Sequence, residues 1–226
     1  MTLRWPDALL HPQNVAFNIA ARTLAAPSSV SGLTQVVASD AGIWKATYGE
    51  VLIRNRAQIL TFRAIAARLE GRLQPIVVPL CRAWQPGGGA GSGGDSLYDA
   101  VPHDDLAFFD DGSGYVGGGI SVETFSALPA RAVTASVVIH YGGRIEPGQH
   151  FSIGERLYRI LAVTYSTPTT AVLSFRPPLR EAVAEGARLN FDDPVVRCRL
   201  ASDESMDLDL ALHKYGSPTV EFIEDL

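Results

Sequence analysis

Histidines are the side chains best suited to proton transfer or metal ligation near neutral pH, and spacing decides whether they can act together. They stand at His11, His103, His140, His150 and His213. None falls into a His-x-x-x-His, His-Glu-x-x-His or Cys-x-x-Cys pattern, so no metal site is expected. His103 precedes Asp104 and Asp105, the sharpest cluster in the chain, yet a solvated loop tip accounts for it more simply. Asp110-Asp111-Gly112-Ser113-Gly114 has the start of a calcium loop but lacks alternating oxygen ligands and a closing glutamate. A turn is the simpler reading. Ser113 sits between glycines, without the Gly-x-Ser-x-Gly elbow that raises a nucleophile above a sheet. Carboxylates pair at Asp192-Asp193, at Asp207 and Asp209, and at Glu224-Asp225, but adjacency alone does not make an acid and a base. Asp207 and Asp209 alternate with Leu208 and Leu210, as on a strand with one solvated face. No catalytic, cofactor-binding or metal-ligating residue is therefore expected, and no enzyme.

Other chemistries fare no better. The tract Pro86 to Gly94 is rich in glycine but has no Gly-Lys-Ser/Thr ending, which argues against a phosphate cradle. Cys81 and Cys198 lie in separate apolar runs and read as reduced, buried small hydrophobes. Arg56, Arg63 and Arg68 could touch a phosphate backbone, but on an amphipathic segment they read first as a solvated face. The net charge of −5 opposes nucleic acid as the main partner, since duplex affinity comes largely from phosphate neutralisation.

The elements that would hold these residues are mainly strands. Glycine (21) and proline (14) are spread along the chain, and helical periodicity is nearly absent, which favours β architecture. Strands are expected over Val15 to Leu24, Leu33 to Ala38 and Gly42 to Ile53. In the last of these, Trp44, Ala46 and Tyr48 share one face and Lys45, Thr47 and Gly49 the other. One helix is expected over 55–71, where Ile59, Phe62, Ile65, Ala66 and Leu69 recur at helical spacing between an Asn55 cap and a Gly71 stop. Gln74 to Arg82 returns to strand. Residues 95–130 read as an acidic, turn-rich arm behind the glycine hinge, and its Leu97, Tyr98, Leu106, Phe108, Phe109 and Tyr115 suggest a partner surface.

From Arg131 onward the pattern is β again. Val133 to Tyr141, Phe151 to Gly154 with Leu157 to Thr164, Thr169 to Phe175 and Arg188 to Phe191 make a small five-stranded barrel-like unit. Leu179 to Ala184 is short and apolar enough for one helical turn. Val195 to Leu200, Leu208 to Leu212 and Thr219 to Ile223 are the last strands. The expected division is 1–94, an N-terminal β-sandwich-like domain with the helix, then the 95–130 arm, a second β domain over 131–194, and strands over 195–226. These last strands are candidates to complete the first domain. With 46% hydrophobic and 19% charged residues the chain suits a folded domain, and no apolar run nears the ~18 residues of a membrane helix. Met1 to Asp7 lacks the charged-then-apolar pattern of a secretory signal.

Five segments carry a family resemblance: Arg63 to Arg72, Gln74 to Leu80, Pro147 to Ile160, Phe175 to Arg180 and Tyr215 to Phe222. Together they are similar to the distal tail and minor tail proteins of siphophages and related gene-transfer particles. The resemblance implies a structural virion protein at the tail tip, assembled in the bacterial cytoplasm. It implies a homo-oligomeric ring, commonly a hexamer, that links the tail tube protein to the baseplate hub protein. DNA would pass the lumen without specific binding, and no membrane insertion is implied. Two alternatives stay open: another tail component (tube, hub or head-tail connector subunit), or a carbohydrate-binding β module displaying Trp44 or Trp84.

Overall fold

The computed structural model describes residues 2–25, 36–80, 85–86, 100–101, 115–116, 120–212 and 214–226, with backbone alone for 21–25, 36–41, 100–101 and 115–116. Residues 33–35 of an expected strand, both glycine-rich and acidic stretches of the arm, Cys81, Trp84, His103, Ser113 and His213 lie outside the described residues. The chain is mainly β with one helix among the described residues, and it divides into two units, 1–81 with 196–226 and 82–195.

The first unit is built on β1 (Leu3–Arg4), β2 (Pro12–Ala25), β3 (Val36–Val51), α1 (Arg56–Leu69) and β4 (Ile76–Pro79). After the two short paired strands β5 (Ala100–Val101) and β6 (Tyr115–Val116) and the second unit, the chain returns in β13 (Val195–Leu200) and β14 (Val220–Glu224). The sheet order is β1-β4-β13-β14-β3-β2, so the C-terminal strands lie at the centre of the N-terminal sheet. Alternation explains which faces pack. Trp44, Ala46 and Tyr48 point into the core, and Val220, Phe222 and Glu224 join them from β14. Ile76 to Leu80 is buried at every position, as befits a strand covered on both faces.

Helix α1 forms where its apolar period demands, burying Phe62, Ile65 and Leu69. Its start is fixed by a capping box: Asn55 Oδ1 accepts from Gln58 N at 2.9 Å, and Gln58 Oε1 accepts from Asn55 N at 3.3 Å. Its end runs through Glu70 in the left-handed region to Gly71 at φ +64°, where a Cβ would meet Asp203 Oδ1 at 2.7 Å. The positive φ favours glycine there, and any side chain would also have to displace the Asp203 carboxylate.

Asp225 ties the chain end to β13. Arg197 Nε and Arg199 Nε donate to its two carboxylate oxygens at 2.9 and 2.6 Å, and Arg199 also reaches Leu73 O at 2.6 Å. Burial raises the Asp225 pKa, but the hydrogen bonds and charges of Arg199 and Arg197 outweigh it and hold the carboxyl below its usual range. A depressed folded pKa stabilises above the unfolded value of about 3.9 and loses that contribution as pH falls through the folded one. Asp225→Ala is expected to cost the first unit about 2 kcal/mol at pH 7, a charged hydrogen-bond loss of ordinary size. Urea unfolding at pH 7 and pH 3 checks it, because the gap between variant and wild type must shrink in acid.

The second unit contains β7 (Ser121–Thr124), β8 (Thr134–Tyr141), β9 (His150–Ile153), β10 (Arg156–Thr167), β11 (Thr170–Arg176) and β12 (Arg188–Leu189). Its sheet runs β12-β7-β8-β11-β10-β9, and the Ser152–Asn190 bridge joins the two edge strands into a six-stranded barrel. The barrel thus has one strand more than expected. The addition is β7, which falls within the stretch read as arm. Phe151, Tyr158, Phe175 and Phe191 pack together in its core with contacting ring centroids 5.4 to 5.6 Å apart, Phe151 stacked on Tyr158 and Phe175 edge-on to both.

Two further expectations are corrected. Leu179 to Ala184 forms no helical turn. Instead Leu179 N donates to Ala132 O, and Val183 bridges Leu128 in both directions. Leu208 to Leu212 forms no strand, and its one ladder contact is the tight Ala211–Tyr215 bridge.

Candidate functional site

The groups that sequence marked as chemically capable are dispersed, and most have structural partners. His11 is exposed beside β2. On β8, His140 has Nε2 3.4 Å from Glu123 Oε2, with both side chains more than 40% exposed. His150 on β9 accepts from Arg159 Nε at 2.9 Å through its own Nε2, while its backbone N–H donates to Gln85 Oε1. Burial first, and then the Arg159 charge, push the His150 pKa down to about 4. This imidazole is neutral at neutral pH and serves as an acceptor.

Some carboxylates are committed as well. Asp192 Oδ1 accepts from Ile120 N at 3.0 Å, while at Asp193 it is the backbone that closes a corner, its O accepting from Asn190 Nδ2 and its N donating to Asn190 Oδ1. Glu224 is buried and accepts from Trp44 N at 3.0 Å. Asp207 and Asp209 are exposed and lie on irregular backbone. Cys198 is buried. Among the described residues no three His, Cys, Asp or Glu side chains gather as metal ligands would. Trp44 is 0% exposed, so it displays no ring to a glycan, and Trp44→Ala would read out stability instead of sugar binding.

What the fold does assemble are two surfaces of mixed character. In the first unit, the Ile53–Gly216 bridge brings the loop after β13 against the start of α1. The result is a cleft of about 400 Å³ lined by the apolar Ile59, Leu60, Leu210 and Tyr215. Arg54, Arg56, Arg63 and Lys214 line it too. Leu60 and Tyr215 keep about half their surface in water, at 46% and 51%. Neither the helix period nor the Tyr215-Gly216 motif alone reveals this cleft, because only a contact spanning some 160 residues creates it. In the second unit, Phe125 at the end of β7 is 63% exposed above a hollow of about 470 Å³. Glu123, His140 and Glu185 line that hollow, and no lysine or arginine is among the described residues lining it.

The chain matches no protein-family model and no curated protein.

Proposed function

We propose that this chain is a structural subunit of a bacteriophage-type tail tip, a distal tail protein whose copies form a ring between the tail tube and the baseplate hub. The observation that carries the reading is the two-unit plan: a sheet bearing one helix and completed by the chain's own C-terminal strands, with a small barrel inserted between. That plan fits the architecture implied by the segment resemblances at Arg63 to Leu80, Pro147 to Ile160 and Tyr215 to Phe222. The structural bonds of His150, Asp192, Glu224 and Asp225 support a mechanical role, in which ring subunits bury apolar and charged patches against neighbours. In this reading the ring is a hexamer, is carried in the virion and lets DNA through its lumen without specific contacts.

Mass photometry of the purified chain and of disrupted particles tests the proposal. The expected result is a closed oligomer at micromolar concentration and the same chain in tail-tip fractions. A protein that stays monomeric at every concentration and is missing from particles would sink it.

A further inference from the structure

We propose that the cationic cleft at the start of α1 receives the Phe125 face of a second copy of this chain, joining neighbours head to tail. The inference rests on the ring reading and assigns it a contact.

The cleft needs an anionic, partly apolar occupant. None of Arg54, Arg56, Arg63 and Lys214 meets a carboxylate among the described residues, although all four are near enough to share one cleft. Their placement also runs against local helix physics. Arg56 opens α1, and the first turn holds no acidic residue. The positive end of a helix dipole favours Asp or Glu there, by about 0.3–1 kcal/mol per charge. Cations crowded at that end lower helix stability and raise the potential of the cleft. A local rule broken without a local gain points to a role outside the helix. The apolar lining of Ile59, Leu60, Leu210 and Tyr215 then adds a preference for an apolar group in the contact.

The Phe125 face has the opposite properties. Phe125 is 63% exposed and shares the lining of one hollow with two carboxylates, Glu123 and Glu185. Glu123 pairs only loosely with the exposed His140 at 3.4 Å. An exposed aromatic ring in company with acids matches a cleft lined by apolar groups and cations in both sign and polarity. Aromatic and arginine side chains are also the types that most often dominate association energy. Nucleic acid would satisfy the cations but not the apolar lining, and the chain's charge of −5 opposes it. Because the two faces are different patches, their contact is heterologous, and copies joined this way close into a ring or extend into a filament.

Charge reversal in full-length protein tests the contact. One variant is Arg54→Glu with Arg56→Glu and Arg63→Glu, which turns the four-cation cleft net negative, and the other is Glu123→Lys with Glu185→Lys. Each alone juxtaposes like charges, so each should raise the apparent dissociation constant of the oligomer by at least about tenfold. An equimolar mixture should assemble again, because every cleft then meets a face of opposite sign, and native mass spectrometry should find the variants alternating. Phe125→Ser should weaken assembly without altering charge, and it decides between the outcomes should either reversal variant melt early. Wild-type protein that assembles while all three variants assemble equally well overturns this contact and leaves the ring reading standing. Wild-type protein that never assembles removes both. Duplex DNA binding abolished by the arginine reversals, with assembly unchanged, overturns the contact in favour of a nucleic-acid site.

Discussion

Trp5→Ala is expected to destabilise the first unit by about 3–5 kcal/mol, the largest single-residue effect expected in this protein. Trp5 is 0% exposed only a few residues from the N-terminus, because the chain threads it between three elements. Its ring meets Tyr48 of β3 at 5.4 Å, Phe222 of β14 at 5.7 Å and Phe62 of α1 at 6.4 Å, all edge to face. Such pairs contribute about 0.5–1.5 kcal/mol each beyond area burial. The indole Nε1 donates to Leu10 O at 3.1 Å, so truncation also orphans a buried carbonyl. A marginal domain holds only about 5–15 kcal/mol in total, and the loss would move its transition far toward the unfolded side. Urea unfolding followed by far-UV circular dichroism measures it. Trp5→Phe separates the causes, since it keeps most of the apolar ring and loses the donor, and should cost about 1–2 kcal/mol. A loss below about 1 kcal/mol for Trp5→Ala would show that the aromatic cluster does not hold sheet and helix together.

How much of this was legible beforehand depends on how local the signal is. The helix was legible because its period, its Asn55 cap and its Gly71 end all lie within one short segment. The face assignment of Trp44, Ala46 and Tyr48 was legible because strand alternation has a strict period of two. Alternation without a partner misleads, as Asp207 to Leu210 shows. There the polar and apolar residues alternate, but Asp207 N is taken by Glu204 O and no strand pairs alongside. Strand β7 was hidden for the converse reason. Ser121 to Thr124 is short and follows a glycine run, and only its pairing with Val137 to Tyr141 and Leu189 defines it. The cationic cleft lay furthest from view. Arg56 and Arg63 read as a solvated helix face until the Ile53–Gly216 bridge sets Lys214 and Tyr215 beside them.

The acid sensitivity of the two units should separate, with His150 setting that of the barrel. Its folded pKa of about 4 lies below the unfolded value of about 6.5. Between those values the unfolded chain carries the proton and the folded one does not, so barrel stability falls as pH drops through that window. The full interval is worth at most about 3 kcal/mol, at about 1.36 kcal/mol per pH unit. The physical cause is plain in the geometry. Protonated Nε2 could no longer accept from Arg159 Nε at 2.9 Å, and a second cation would face the guanidinium in a half-buried site. Asp225 acts in a different window, since its depressed pKa makes the first unit lose stability only below about 4. Urea titrations at pH 7, 5.5 and 4.5 should therefore show the barrel weakening first, with the helix-bearing sheet almost unchanged. His150→Asn, which keeps an acceptor for Arg159 but does not titrate, should flatten the barrel's response between pH 6.5 and 4. An unchanged slope in that variant would mean that some other group carries the proton linkage. A sheet that weakens in step with the barrel would mean that the two units unfold as one.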